Sequence, residues 1–143
     1  MVGFGGRFTG SNPSYTATEL GHHFRTSQTR LVITSKAQVE VVKNAAAANK
    51  IPFDRIILVD GDDDDDDSEF TSLQTLLQRG QQHWRTFSDT TSSISTTAAL
   101  MSTSGTTGLP KMAARSHHSW IAENQAIEDC VEKPYNVSQH LPL

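Results

Sequence analysis

The chain has 143 residues, a net charge of −4 and 36% hydrophobic residues, with a mean hydropathy of −0.43. That is enough for one modest domain, and it excludes both the basic face expected of a nucleic-acid binder and any apolar run long enough to span a bilayer. The single cysteine, Cys130, excludes an internal disulfide and fits a reducing compartment, and a lone thiol on a helix is expected to pack and not to react.

Residues 1–15 form a Gly-rich entry with Val2, Phe4 and Phe8 among the glycines. No charged segment followed by an apolar core is present, so this is not read as a secretory signal. It reads as a start inside a domain. Thr16 or Thr18 is placed to cap a helix beginning near Ala17, with Leu20 and Phe24 on one face. The tandem His22-His23 raises the possibility of a metal pair. Adjacent helical residues do not face each other, and no further ligand follows at metal spacing, so structural or solvent-exposed histidines are the expectation.

The run Arg30–Thr34 predicts a buried strand. Ser35 and Gln38 have the spacing of a capping box, leading a helix from Lys36 to about Asn49 with Val39, Val42 and Ala46 on one face. Arg55–Asp60 predicts a second buried strand. Strand, helix, strand in this order is a βαβ unit, which implies a parallel pair with a right-handed crossover.

Gly61 then opens an acidic loop, residues 61–69, containing the run Asp62–Asp67. Successive aspartates repel one another and resist burial, so a solvated loop is expected. A calcium or magnesium site is the alternative, but the spaced ligands and turn glycine of a calcium loop are missing. Phe70, Leu73, Leu76 and Leu77 predict a short amphipathic helix closed by Gly80. Residues 85–97 read as an exposed Ser/Thr-rich linker.

Thr97–Met101 is a strand candidate, and it feeds the most informative stretch in the chain. From Thr103 to Lys111 the sequence reads Thr-Ser-Gly-Thr-Thr-Gly-Leu-Pro-Lys. Glycines allow close approach of backbone N–H groups, hydroxyls donate to phosphate oxygens, and lysine supplies a point charge. The combination describes a loop for a polyphosphate. It is not the common NTPase P-loop, which requires glycine before the lysine and Ser or Thr after it; here Pro110 and Met112 occupy those places. The bland alternative is a Ser/Thr/Gly-rich surface loop. Met112–Ser116 is the expected return strand. Ser116–Ser119 then opens a helix carrying Ala122, Ala126 and Cys130 on one face, with Trp120, Ile127 and Val131 beside it.

The stretch Leu100–Lys111, with STSGTTGLPK at Ser102–Lys111, resembles the phosphate-binding signature of the adenylate-forming (AMP-binding) superfamily. Phe8–Leu20, FTGSNPSYTATEL, resembles the coumarate–CoA-ligase branch of the acyl- and aryl-CoA synthetases, where a similar Asn-Pro-x-Tyr-Thr step leads into a helix. Met112 and Ala113 depart from the usual Gly and Val after the lysine. His117 is the best positional match to a histidine at the start of the following helix, with a capping or packing role expected. His140–Leu143 resembles the opening of the next family signature.

The resemblance implies an α/β fold belonging to the family's large N-terminal domain. It contains βαβ units and a strand–phosphate-loop–strand element. Residues 1–143 would then be a partial AMP-binding domain, without the small C-terminal domain that carries the family's catalytic lysine. It further implies an ATP-dependent carboxylate–CoA ligase that uses ATP, Mg2+ and coenzyme A, of which this chain would bind at most the ATP phosphates. Thr103, Ser104, Gly105, Thr106, Thr107, Gly108 and Lys111 are the implied nucleotide-binding residues; no catalytic residue and no metal ligand is assigned. Carboxylic acid and coenzyme A would be partners only in an intact parent. The implied location is cytoplasmic or peroxisomal. Little ligase activity is expected of the chain by itself. The alternatives are a non-catalytic nucleotide-binding module or a non-functional truncated gene product.

Overall fold

The computed structural model describes residues 5–61, 69–80, 89–103 and 110–130. Its elements in chain order are β1 (Phe8–Thr9), α1 (Ala17–Ser27), β2 (Val32–Thr34), α2 (Val39–Ala48), β3 (Ile56–Leu58), β4 (Thr71–Ser72), α3 (Leu73–Leu77), α4 (Thr90–Ser95), β5 (Thr97–Thr103), β6 (Lys111–Ser116) and α5 (His117–Cys130). The strands form two three-stranded sheets, one ordered β1-β5-β6 and the other β2-β3-β4.

The βαβ unit forms as its pattern predicts. β2 and β3 are parallel, with Val32 opposite Ile56 and Thr34 opposite Leu58. All three residues of β3 are buried, as befits a central strand covered on both faces. β2 departs from the expectation of full burial: Val32 is buried, but Ile33 is 44% exposed. It lies at the edge of its sheet, and successive side chains point to opposite faces, so only Val32 joins the core. Leu20 and Phe24 from α1, Val42, Ala45 and Ala46 from α2, and Val32, Ile51 and Ile56 make up that core. Burying each of the larger aliphatic or aromatic side chains contributes about 1.5–3 kcal/mol. Small residues let the two helices approach: a Cβ on Gly21 would sit 3.1 Å from Asn49 Nδ2.

Local chemistry sets the helix ends. Thr16, not Thr18, caps α1, and it does so in a full capping box: the Glu19 N–H donates to Thr16 Oγ1, and the Glu19 carboxylate accepts from the Thr16 N–H at 2.8 Å. The box expected at Ser35 and Gln38 does not form; Ser35 makes no side-chain cap hydrogen bond. The Lys36 N–H donates instead to Asp60 Oδ1 at 2.7 Å, and residues 36–38 take a tighter 3-10 turn before α2. A carboxylate beyond β3 thus replaces the local hydroxyl as acceptor for an orphan helical N–H.

Three further expectations are revised. Thr71–Ser72 pair in parallel with Ile57–Leu58 as β4, so the helix read from Phe70 begins only at Leu73. Gly80 follows it at φ 78°. The stretch read as a linker over 85–97 contains α4, whose N-cap Asp89 accepts from the Ser92 N–H at 2.7 Å; an Asx cap followed by hydroxyl residues starts a helix as readily as a loop. On α5, the face bearing Ala122, Ala126 and Cys130 is exposed, because no described element covers it. The central part of the acidic loop, residues 62–68, lies outside the described residues, as does Val131.

Candidate functional site

The predicted phosphate loop is carried by an antiparallel hairpin. β5 and β6 pair from Thr97 opposite Ser116 to Thr103 opposite Lys111, with an irregularity between Thr97 and Ala99. The start of β5 is anchored in the interior through Ala98, Ala99 and Leu100, all buried. Beyond Leu100 the strand runs into solvent: Met101, Ser102 and Thr103 are exposed. At the last rung the Thr103 hydroxyl donates to the Lys111 carbonyl oxygen at 3.2 Å. The two ends of the loop are thereby held side by side, with the exposed Lys111 at its mouth. Of the predicted nucleotide-binding residues, Thr103 and Lys111 are brought together here. Ser104, Gly105, Thr106, Thr107 and Gly108 lie outside the described residues.

The second sequence motif is brought against the first. β1 pairs in parallel with β5, placing Phe8 opposite Ala99 and Thr9 opposite Leu100. Phe8 and Thr9 point to opposite faces. On one face Phe8 meets Trp120 of α5, their ring centroids 6.4 Å apart. On the other, Thr9 Oγ1 lies 3.1 Å from His23 Nε2 of α1. The sheet is therefore flanked by α1 and α5. Arg115 of β6 reaches Glu123 of α5 at 2.6 Å, which fixes odd-numbered β6 residues on the α5 side. Strand alternation puts Lys111 and its partner Thr103 with that set, and Ser102 and Met112 on the α1 side.

Between α1 and the loop end of the hairpin lies a small cleft, lined by Tyr15, Glu19, His22, His23, Ser102, Pro110 and Met112. His22 Nε2 is 3.2 Å from the Pro110 carbonyl oxygen. His23 is buried, and burial, reinforced by the charge of His22, pushes its imidazole below the ordinary value. Glu19 is held below the usual carboxylate range by hydrogen bonds from the Thr16 backbone and then its side chain. Its carboxylate is committed to the helix cap and is not a free base. The histidine pair, read from the sequence as structural or solvent-exposed, ties α1 to the phosphate hairpin and to β1. Nothing in the local sequence marks that role. The signal was the co-occurrence of the two family-like stretches in one chain. At the far end of the hairpin Ser116 Oγ accepts from the Ser119 N–H at 3.1 Å, capping α5, and the His117 N–H donates to the Thr96 carbonyl at 3.1 Å.

The model of the AMP-binding enzyme family matches residues 1–142. The chain belongs to this family. Its relatives include a phenylacetyl-CoA ligase of Aspergillus niger, 32% identical over 100% of this chain and 27% of that protein. An acyl-CoA ligase of a Phoma species is 39% identical over 91% of this chain and 26% of its own length. The chain thus spans little more than a quarter of these relatives. Among solved structures, a luciferase-like enzyme from the mealworm Zophobas morio superposes with a TM-score of 0.70 at 17% identity, over 86% of this chain and 27% of that one. The mycobacterial protein MbtA gives a TM-score of 0.59 at 18% identity. The fold is that of the N-terminal domain of adenylate-forming enzymes, and within it β5 and β6 pair as an antiparallel hairpin.

Proposed function

We propose that this chain carries the phosphate-holding part of an ATP-dependent carboxylate–CoA ligase. The observation that carries the reading is the closure of the β5–β6 ladder at Thr103 and Lys111, which holds a hydroxyl and a cation at the two ends of a Gly- and Thr-rich loop. In the overall reaction a carboxylate oxygen attacks the α-phosphorus of ATP, giving an acyl-adenylate and pyrophosphate. The thiol of coenzyme A then attacks the acyl carbon, forming the thioester and releasing AMP. The loop's part is orientation and charge stabilisation of the departing β- and γ-phosphates. Lys111 neutralises phosphate charge; Ser104, Thr106 and Thr107 donate hydrogen bonds; Gly105 and Gly108 give the phosphates access to backbone N–H groups; and Thr103, whose hydroxyl donates to the Lys111 carbonyl, closes the base of the loop.

The donor set fits phosphate: an exposed ammonium beside hydroxyl donors, with no acidic residue between Thr103 and Lys111. Among the described residues no three His, Cys, Asp or Glu side chains converge on a metal site; in this reading magnesium arrives bound to ATP. No helix among the described residues is long and apolar enough to cross a membrane. In the same reading residues 1–143 are part of an adenylation domain in a cytoplasmic or peroxisomal ligase, and the chain by itself binds nucleotide without turning over acid. Titration with a fluorescent ATP analogue tests the reading. Binding that is saturable and markedly weaker in Lys111→Ala supports it, while equal signals from both proteins, or none from the wild type, refute it. Robust pyrophosphate release from the purified chain with ATP, magnesium, coenzyme A and carboxylic acids would overturn the claim of inactivity.

A further inference from the structure

We propose that His22 is a positioning residue for the phosphate loop: by donating from Nε2 to the Pro110 carbonyl, it sets the exit end of the loop without touching nucleotide. This inference rests on the phosphate-loop reading above. A carbonyl oxygen only accepts, so the 3.2 Å contact between His22 Nε2 and Pro110 O requires the proton on Nε2, whether the ring is neutral or cationic. The neighbouring Thr26 fits the same assignment. Its hydroxyl donates to the His22 carbonyl at 2.9 Å, which leaves its lone pairs to accept from His22 Nε2, 3.3 Å away.

Pro110 is where such a restraint has most effect. It directly precedes Lys111, and it lacks an N–H of its own, so its carbonyl is its one backbone hydrogen-bonding group. The β-ladder begins only at Lys111. The His22 contact ties the residue that delivers the lysine to α1. α1 is itself fixed: Leu20 and Phe24 sit in the core, and its start is locked by the Thr16–Glu19 box. His22 therefore transmits the position of a rigid helix to a loop end. Strand alternation puts Lys111 and Thr103 on the opposite side of the sheet from α1, so His22 acts through the backbone and not on phosphate.

The test uses the full chain and three measurements. Side-chain nitrogen NMR of the wild type reads which His22 nitrogen carries the proton; a ring protonated on Nδ1 alone overturns the proposal without any variant. Amide exchange at Lys111 and Met112 is then compared among wild type, His22→Phe and His22→Gln. The phenylalanine keeps the ring and removes the donor, whereas the glutamine restores an N–H at similar reach. Faster exchange in the phenylalanine variant, reversed by glutamine, is expected; unchanged exchange in both overturns the proposal. The third measurement is affinity for a fluorescent ATP analogue, with Lys111→Ala as reference. Loss of a net hydrogen bond predicts about threefold to tenfold weaker binding for His22→Phe and near wild-type binding for His22→Gln. If wild type binds and Lys111→Ala binds markedly more weakly, but both His22 variants bind like wild type, the positioning role fails and the phosphate-loop reading stands. If wild type itself does not bind, the phosphate-loop reading fails, and with it the nucleotide role assigned to His22.

Discussion

Thr103 and Lys111 face each other across the last rung of the β5–β6 ladder, where the Thr103 hydroxyl donates to the Lys111 carbonyl at 3.2 Å. The side chain that closes the hairpin belongs to the same residue that begins the proposed phosphate loop. Backbone pairing thus does two things at once: it ends the sheet and fixes the separation of the loop's ends. Charge-assisted hydrogen bonds contribute about 1.5–3 kcal/mol. Replacing Lys111 with alanine is therefore expected to weaken binding of an ATP analogue by about tenfold to a hundredfold, with the fold retained because the side chain is exposed. Circular dichroism alongside the titration separates loss of charge from loss of structure.

Acid should loosen the seam between α1 and β1. Burial, and after it the charge of His22, pushes the His23 imidazole below its ordinary value. The unfolded ring takes up a proton near its ordinary value of about 6.5, while the folded ring resists. The stabilisation is present above that value and is lost as pH falls from there through the folded value. Urea midpoints measured across this window should fall with pH for the wild type. His23→Gln should remove that part of the slope; an unchanged slope would contradict the assignment.

A second acid-sensitive layer lies at the helix caps. Glu19 and Asp89 are both held below the usual carboxylate range, each chiefly by a backbone N–H, from Thr16 and Ser92 respectively. Their contribution is present above the ordinary carboxylate values and is lost as pH falls through the folded ones. Independently of pH, Thr16→Ala removes the hydroxyl that caps α1 and is expected to cost about 1 kcal/mol. Chemical denaturation of the two proteins under identical conditions measures it.

Among the described residues Ile56 is the largest side chain with no exposure, at 0%. It sits on the central strand between α-helical cover and its neighbours in the sheet. Ile56→Ala should cost about 2–5 kcal/mol through lost transfer energy and an unfilled cavity. Small domains are stable by only about 5–15 kcal/mol, so a large fall in the unfolding midpoint is expected. A midpoint within error of wild type would show that β3 is not the centre of the core.

At Lys50 the backbone runs the other way. It follows α2 with φ 57°, and the Ile51 N–H returns to the Ala46 carbonyl at 3.0 Å, the Schellman closure that glycine adopts without strain. Lys50→Gly should raise stability by about 0.5–1 kcal/mol, since a left-handed conformation costs an L-residue about 1–2 kcal/mol and glycine returns part of it as chain entropy. A lower unfolding midpoint for the variant would refute it.

Much of this protein is determined by its sequence read alone. The runs Arg30–Thr34 and Arg55–Asp60, with a periodic helix between them, specify a βαβ unit because alternation and helical periodicity are local properties of the chain. Family membership was legible for a similar reason: the Gly/Thr-rich stretch before Lys111 is contiguous, so its order of glycine, hydroxyl and lysine survives intact in one dimension. Other features depend on partners distant in sequence, and only the tertiary structure decided them. Ser35 looked like a cap, but Asp60, which lies beyond the next strand, supplied the acceptor. Thr71–Ser72 became a strand because β3 offered a free edge, not because two residues carry a pattern. The exposed hydrophobic positions Ile33 and Ile127 follow from which elements lie beside them. His22 and His23 show the same limit. No local rule separates two adjacent histidines, yet the helix turns one toward Pro110 and the other toward Thr9. Consecutive helical residues point about 100° apart, and what each then meets is set by how the chain folds back on itself.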